Sequence, residues 1–359
     1  MGGETVIPGI DYLPDVYEAL EKVEDRLIEA TKVPDPYFAE VTAYLARAGG
    51  KRVRPLLALL GARVGGPIAE PAIDAAVAVE LIHVGSLHHD DVIDESPTRR
   101  GRPSVNVTWG NSIAILAGDL VLARASEIGA RLGRKASEML ARTLGTIVYG
   151  QMLELAGAYD LDSKPERYWR VIENKTASLI ATSVALGGHV AGLESSEVQA
   201  LELYGHHMGM AFQIADDVLD IVGRSERLGK PVGLDMIEGT YTLPVIYGLE
   251  SERGDELAEL LRKIKEVKDS VDLVVSNRHG HAEYVLPESI TEAVADARTL
   301  LVECGAVESA LGDAKKELDS ALRHLGELGD APALEALATV GRYIIDRITA
   351  DEGISPSTT

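Results

Sequence analysis

Cysteine is almost missing from this chain: Cys304 stands alone among 359 residues. One thiol cannot close an intramolecular disulfide or build a thiolate metal cage, so neither device holds the fold. Aromatic residues are also scarce, with 2 Phe, 2 Trp and 4% aromatic overall. The core must then be packed by Leu, Val, Ile and Ala, which suits helices and an aliphatic cavity. Basic residues are outnumbered 35 to 57, giving a net charge of −22. So acidic a surface disfavours nucleic acid as a partner. No uninterrupted apolar run reaches the roughly 20 residues of a membrane span. The first twenty residues are acidic, contain two prolines and do not read as a signal peptide. The expectation is a cytoplasmic protein whose 46% hydrophobic residues suffice for a large core.

Apolar periodicity predicts helices over residues 15–31, 37–48, 71–94, 111–132, 136–158, 165–192 and 197–222, and again through 245–274 and 290–350. No strand-rich block or solenoid repeat interrupts them. The expected fold class is all-α, one domain over 1–350 with a disordered tail at 351–359. Residues 223–243, rich in glycine and charge, suggest a loop that closes over a ligand. Residues 275–288 read as a polar loop, and the His279–His281 spacing within it is weak as a metal signal.

The helix predicted over 71–94 carries the most informative stretch. Ile73, Val77, Leu81 and Val84 form its apolar stripe. His83, Asp90 and Asp94 fall within about 40° of one line, with Asp91 beside them. Asp is a poor helix former, so three at the end of an apolar helix oppose local propensity. Two bare carboxylates about 6 Å apart repel by roughly 3 kcal/mol at an effective dielectric of about 20. A hard divalent cation removes that repulsion, and Mg²⁺ keeps sites for waters and substrate phosphates. Arg99, Arg100 and Arg102 follow within a short loop, and arginine forks match phosphate oxygens.

The same spacing returns at Asp216, Asp217 and Asp220, where Gln213 shares the helical arc. Two facing acidic helix ends could clamp Mg²⁺ ions around one diphosphate. A second basic cluster, Arg47, Lys51, Arg52 and Arg54, surrounds Gly49-Gly50 at a helix start, an anion-site pattern.

Read in order, GGKRVRP at 49–55, the Glu80/His83 helix ending in DDVID at 90–94, RRGRP at 99–103, NKTA at 174–177, FQIADDVLD at 212–220, GKPVGLD at 229–235 and TLP at 242–244 resemble the trans-prenyltransferase family, the polyprenyl diphosphate synthases. The resemblance implies a single all-α domain of antiparallel helices around a deep central cavity, usually a homodimer. It implies that an allylic diphosphate ionises, isopentenyl diphosphate attacks the carbocation, and the released pyrophosphate takes the proton. By resemblance, Asp90, Asp94 and Asp216 hold Mg²⁺, with Asp91, Asp217 and Asp220 as further ligands or support. Arg99, Lys175, Thr176, Gln213 and Lys230 contact the allylic diphosphate. Lys51, Arg54, His83 and Arg100 hold isopentenyl diphosphate. A transient membrane contact is expected as the apolar product leaves. Many members carry Lys after the glycine that here is Gly239; this chain has Thr240, so a diphosphate contact is lost there.

Product length depends on what blocks the cavity. By resemblance, Gly85 and Ser86 lie on the path of the growing tail, and their small size implies a long product, hexaprenyl to decaprenyl. A geranylgeranyl-type synthase with a plug elsewhere, such as Leu116 or Leu120, is the alternative. Readings from other classes have less support. A di-iron bundle needs a second Glu-x-x-His pair beyond Glu80/His83, and Glu202 and His206 are one residue too far apart. A His-Asp phosphohydrolase, suggested by His89-Asp90, needs further His ligands. A regulatory subunit would be expected to lack the aspartates or the cations, and both are intact.

Overall fold

The computed structural model describes residues 13–223, 231–271, 274–276 and 282–352. The fold is all-α. In chain order the helices are α1 (Pro14–Ala30), α2 (Pro36–Arg47), α3 (Val53–Val64), α4 (Glu70–Ile93), α5 (Val105–Trp109), α6 (Asn111–Leu132), α7 (Arg134–Leu155), α8 (Pro165–Ile172), a π-helical turn (Glu173–Ala177), α9 (Ser178–Val190) and α10 (Ser195–Val222). They are followed by α11 (Leu234–Glu238), α12 (Leu243–Leu249), α13 (Gly254–Ser270), α14 (Glu288–Glu303), α15 (Ala306–Gly326) and α16 (Pro332–Glu352). The starts obey local chemistry. Asp35 caps α2 by accepting from Tyr37 N and Phe38 N, and Glu194 and Glu197 form a capping box at α10.

The middle of the molecule is α9. Its residues from Leu179 to Gly188 are all buried, as expected of a helix apolar all round. It packs against α3, α4, α7 and α10, so the two Asp-bearing helices α4 and α10 flank it. The approach to α3 depends on two glycines. A Cβ at Gly187 would lie 1.9 Å from the Ala58 carbonyl oxygen, and one at Gly61 would lie 2.3 Å from that of Val184. On its far side α10 packs on α15 and α16, and Tyr204 donates its hydroxyl to the Leu337 carbonyl at 2.6 Å. Among the described residues no helix is long and apolar enough to cross a membrane.

Several expected boundaries move. The 99–103 loop is a tight hairpin, β1 (Thr98–Arg99) against β2 (Arg102–Pro103). Arg100 (φ +54°) and Gly101 (φ +71°) are the two left-handed residues at its tip, as a type I′ turn requires. The expected polar loop 275–288 holds a second hairpin, β3 (Val274–Ser276) against β4 (Ala282–Tyr284). The backbone pairs there where polarity alone suggested coil; His279 and His281 lie outside the described residues. The 165–192 helix is continuous but is widened by the π turn. The 223–243 break contains α11, and α16 runs to Glu352, into the expected tail.

Gly187→Ala should lower unfolding stability by about 1–3 kcal/mol, because the new methyl meets backbone that cannot rotate away. The urea midpoint reads this; an unchanged midpoint would mean that α3 and α9 separate without penalty.

Candidate active site

At the end of α4 the predicted stripe is buried, and the carboxylates divide into two kinds. Asp91 is fully buried. Arg99 Nε donates to its Oδ1 at 2.7 Å, and Asn106 Nδ2 donates to its carbonyl at 3.0 Å. Asp91 therefore ties the β1–β2 hairpin to the helix. Asp90 and Asp94 are partly buried. Burial raises both carboxyl pKa values, Asp94 to about 6; Lys175 opposes the shift, while Glu154 adds to it at both positions.

The end of α10 shows the same division. Asp217 is buried and accepts from Tyr168 Oη at 2.6 Å and from Gln213 Nε2 at 2.8 Å. Thr176 Oγ1 donates to Gln213 Oε1 at 2.7 Å, extending the chain into the π turn. Burial pushes Asp217 up to about 7 against these hydrogen bonds. Asp216 is partly buried. Asp220 is buried; its Oδ2 accepts from Asp235 N at 3.3 Å and its carbonyl from Gly233 N at 2.8 Å, which fastens α11 to α10. Lys230 lies outside the described residues.

The π turn falls on Glu173–Ala177, the segment that carries Lys175 and Thr176. Such turns admit one extra residue and often mark functional sites. Lys175 pairs with Glu154 of α7. Burial acts to lower its pKa, but Glu154, Asp90 and Asp94 together raise it, so the ammonium stays charged. Lys175, Thr176, Gln213, Asp94 and Arg99 line one cavity of about 270 Å³, and Thr240 is on its wall.

A second cluster lies further back along the same face of α4, around Glu80 and His83. Glu80, buried, accepts from Arg52 Nη1 at 2.7 Å and lies 3.5 Å from Arg100 Nη2. Arg52 also bonds Glu24 and the Ala46 carbonyl. Within the expected basic cluster Arg52 is thus a buried structural cation, paired to carboxylates and not left for an incoming anion. Arg100 donates Nη1 to the Leu45 carbonyl at 2.8 Å and lies over Gly50, where a Cβ would be 3.2 Å from its Cζ. Burial lowers the pKa of Arg54 and of Arg100, with Glu80 opposing. Arg54 Nε is buried without a hydrogen-bond partner among the described residues. Burial and then Arg54 and Arg100 hold His83 well below the usual imidazole range, so the ring is neutral. Lys51 is exposed at the edge. Cations gathered around one buried carboxylate leave a place for an anion.

Gly85 and Ser86 sit apart from the 270 Å³ cavity. Gly85 is a close-packing residue: a Cβ there would lie 2.7 Å from Leu122 Cγ of α6. Ser86 is partly buried and donates Oγ to the His83 carbonyl at 2.9 Å. Sequence reasoning missed Glu154 and Tyr168. A signal existed for the first. Thr143, Ile147, Gln151 and Glu154 continue one inward stripe of α7, where a buried amide and a carboxylate interrupt apolar spacing. No local pattern announces Tyr168.

In metal-free protein, Asp94 and Asp217 have folded pKa values above their unfolded ones. The folded state therefore holds extra protons between about pH 4 and about pH 7. Stability from these groups is complete at the acid end and is lost as pH rises through about 6 for Asp94 and about 7 for Asp217. In EDTA, this component should lower the thermal midpoint between about pH 5 and about pH 7.5, and Asp94→Asn should flatten the slope. An unaltered slope in that variant would refute burial of Asp94 as its source.

Residues 35–277 match the family described as Polyprenyl synthetase. The nonaprenyl diphosphate synthase of Mycobacterium tuberculosis is 36% identical, with 96% of this chain and 98% of that protein covered. Heptaprenyl diphosphate synthase component 2 of Geobacillus stearothermophilus is 42% identical over 67% of this chain and 75% of its own length. Among solved structures, a polyprenyl synthase from Caulobacter crescentus, complexed with calcium and isoprenyl diphosphate, superposes with a TM-score of 0.84. It is 30% identical, with 96% of this chain and 99% of that one covered.

Proposed function

Because the chain belongs to the polyprenyl synthetase family, we propose that this prenyltransferase condenses an allylic diphosphate with isopentenyl diphosphate in a divalent-metal-dependent, trans-selective elongation. The observation that carries the reading is the pairing of two unlike anion sites. One is a cavity where Lys175 and Arg99 meet the carboxylates of α4 (Asp94) and α10 (Asp217). The other is a cation cluster around Glu80 that has no need of metal.

Oxygen donors suit a hard dication, and burial pushes Asp90 and Asp94 toward protonation. Among the described residues no three carboxylates gather closely enough to hold a metal by themselves. Mg²⁺ at Asp90, Asp94 and Asp216 would therefore take its remaining ligands from water and the departing diphosphate, whose charge it would neutralise. Asp91 and Asp217 serve as anchors through Arg99 and through Tyr168 and Gln213; Asp220 holds α11. Arg99, Lys175, Thr176, Gln213 and Lys230 hold the allylic diphosphate. Lys51, Arg54, Arg100 and the neutral His83 hold isopentenyl diphosphate with its double bond toward the ionising carbon. The released pyrophosphate takes the proton.

The product proposed is long, hexaprenyl to decaprenyl, with Gly85 and Ser86 beside its path. The names of the heptaprenyl and nonaprenyl relatives support that range. The purified protein, given Mg²⁺, labelled isopentenyl diphosphate and geranyl, farnesyl or geranylgeranyl diphosphate, should yield a ladder of products ending in that range by mass spectrometry. A stop at geranylgeranyl would overturn the length. Asp90→Ala and Asp216→Ala should each lower turnover by about a hundredfold or more. No elongation with any primer would favour a role as one component of a heteromeric enzyme, as the Geobacillus relative's name suggests.

The assembly proposed is a homodimer. Helices α6 and α7 expose Ile115, Leu116 (62%), Val148, Tyr149, Met152 (62%) and Leu155, a contiguous apolar face of the kind that marks an interface. Light scattering should give twice the chain mass, and Leu116→Glu with Met152→Glu should return it to that of one chain. A wild-type monomer would sink the idea.

A further inference from the structure

Arg167 is the cation of the 270 Å³ cavity for which the reaction, as assigned above, has no use. It stands on α8 four residues before Val171 and eight before Lys175, and all three line the cavity. Of the three cations on that wall, Arg99 is held by Asp91 and Lys175 by Glu154. Arg167 gives one donor, Nη2, to the Leu153 carbonyl at 3.0 Å, and among the described residues no carboxylate lies within ion-pair distance. Its place is built. A Cβ at Gly157 would lie 2.5 Å from Arg167 Nε and 2.8 Å from Cζ, so only glycine leaves the guanidinium where it is. Thr240, on the wall of the same cavity, offers a short hydroxyl and no charge.

A diphosphate carries several negative charges, and two of the cavity's cations already face carboxylates. A guanidinium has five donors in a fork that matches phosphate oxygens, and most of Arg167's are left over. We propose that Arg167 contacts the allylic diphosphate and orients it, supplying the positive charge that position 240 lacks in this chain. The proposal rests on reading the cavity as the allylic diphosphate site.

The test compares wild type, Arg167→Gln, Gly157→Ala and Arg167→Gln with Thr240→Lys. Two readouts are used: steady-state kinetics with each substrate varied, and calorimetric binding of inorganic pyrophosphate with Mg²⁺. Arg167→Gln should raise KM for the allylic diphosphate about tenfold, as expected for a lost charge-assisted hydrogen bond. Pyrophosphate binding should weaken in parallel, while KM for isopentenyl diphosphate moves by less than about twofold. Thr240→Lys should recover much of the loss. Gly157→Ala keeps every charge but displaces the guanidinium, so it should show a smaller effect of the same kind; it carries the test should Arg167→Gln not fold. An equal rise in both KM values, or unchanged pyrophosphate binding, overturns the proposal. A wild-type protein that elongates no primer overturns the functional reading instead, and pyrophosphate binding then decides the role of Arg167 alone.

Discussion

The rest of the structure depends on the buried ion pair between Arg52 and Glu80. Both side chains are 2% exposed. Leaving either charge alone at that depth would be strongly unfavourable, so the pair persists only because its remaining donors are satisfied. They are: Arg52 bonds Glu24 of α1 and the Ala46 carbonyl of α2, and Glu80 lies beside Arg100 of the hairpin. Five elements meet at two side chains. Arg52 adopts φ +46° to reach them, a conformation non-glycine residues rarely hold unless their surroundings fix it. Arg54 and His83 then face a cluster whose geometry is set before any ligand arrives.

The acidic side uses the same logic with hydrogen bonds. In each Asp pair one carboxylate is buried and fixed while its neighbour, Asp90 or Asp216, is only partly buried. Asp91 and Asp217 are the buried members, held by Arg99 and by Tyr168 with Gln213. Lys175 pairs with Glu154 and feels the charges of Asp90 and Asp94 as well. The two sites share one design, in which buried members fix the positions of exposed ones.

Much of this could be read in the sequence because its signals were local. The stripe Ile73, Val77, Leu81 and Val84 gave the helix and hence the face on which Asp90 and Asp94 stand. What could not be read depended on other parts of the chain. Arg52 looks like any basic residue of its cluster until Glu24 and Glu80 surround it. Tyr168 acquires meaning only when α8 lies beside α10. The π turn left no trace in apolar period, since α9 is buried all round and has no polar face against which a one-residue shift could be seen. Gly85 and Ser86 stand on the helix as expected, but that Gly85 also lets Leu122 of α6 come close depends on a residue far along the chain.

That π turn also fixes how the chain can vary. One residue of helix corresponds to about 100° of rotation. The extra residue therefore sets the azimuth of α8, with Arg167 and Val171 on the cavity, against α9, whose whole circumference is core. Exchanging side chains within Glu173–Ala177 leaves this phase alone. Deleting one residue restores a plain α-helix and turns α8 by roughly a third of a revolution, carrying its cavity-facing stripe away and presenting another. Along this stretch the number of residues shapes the cavity as much as their chemistry does.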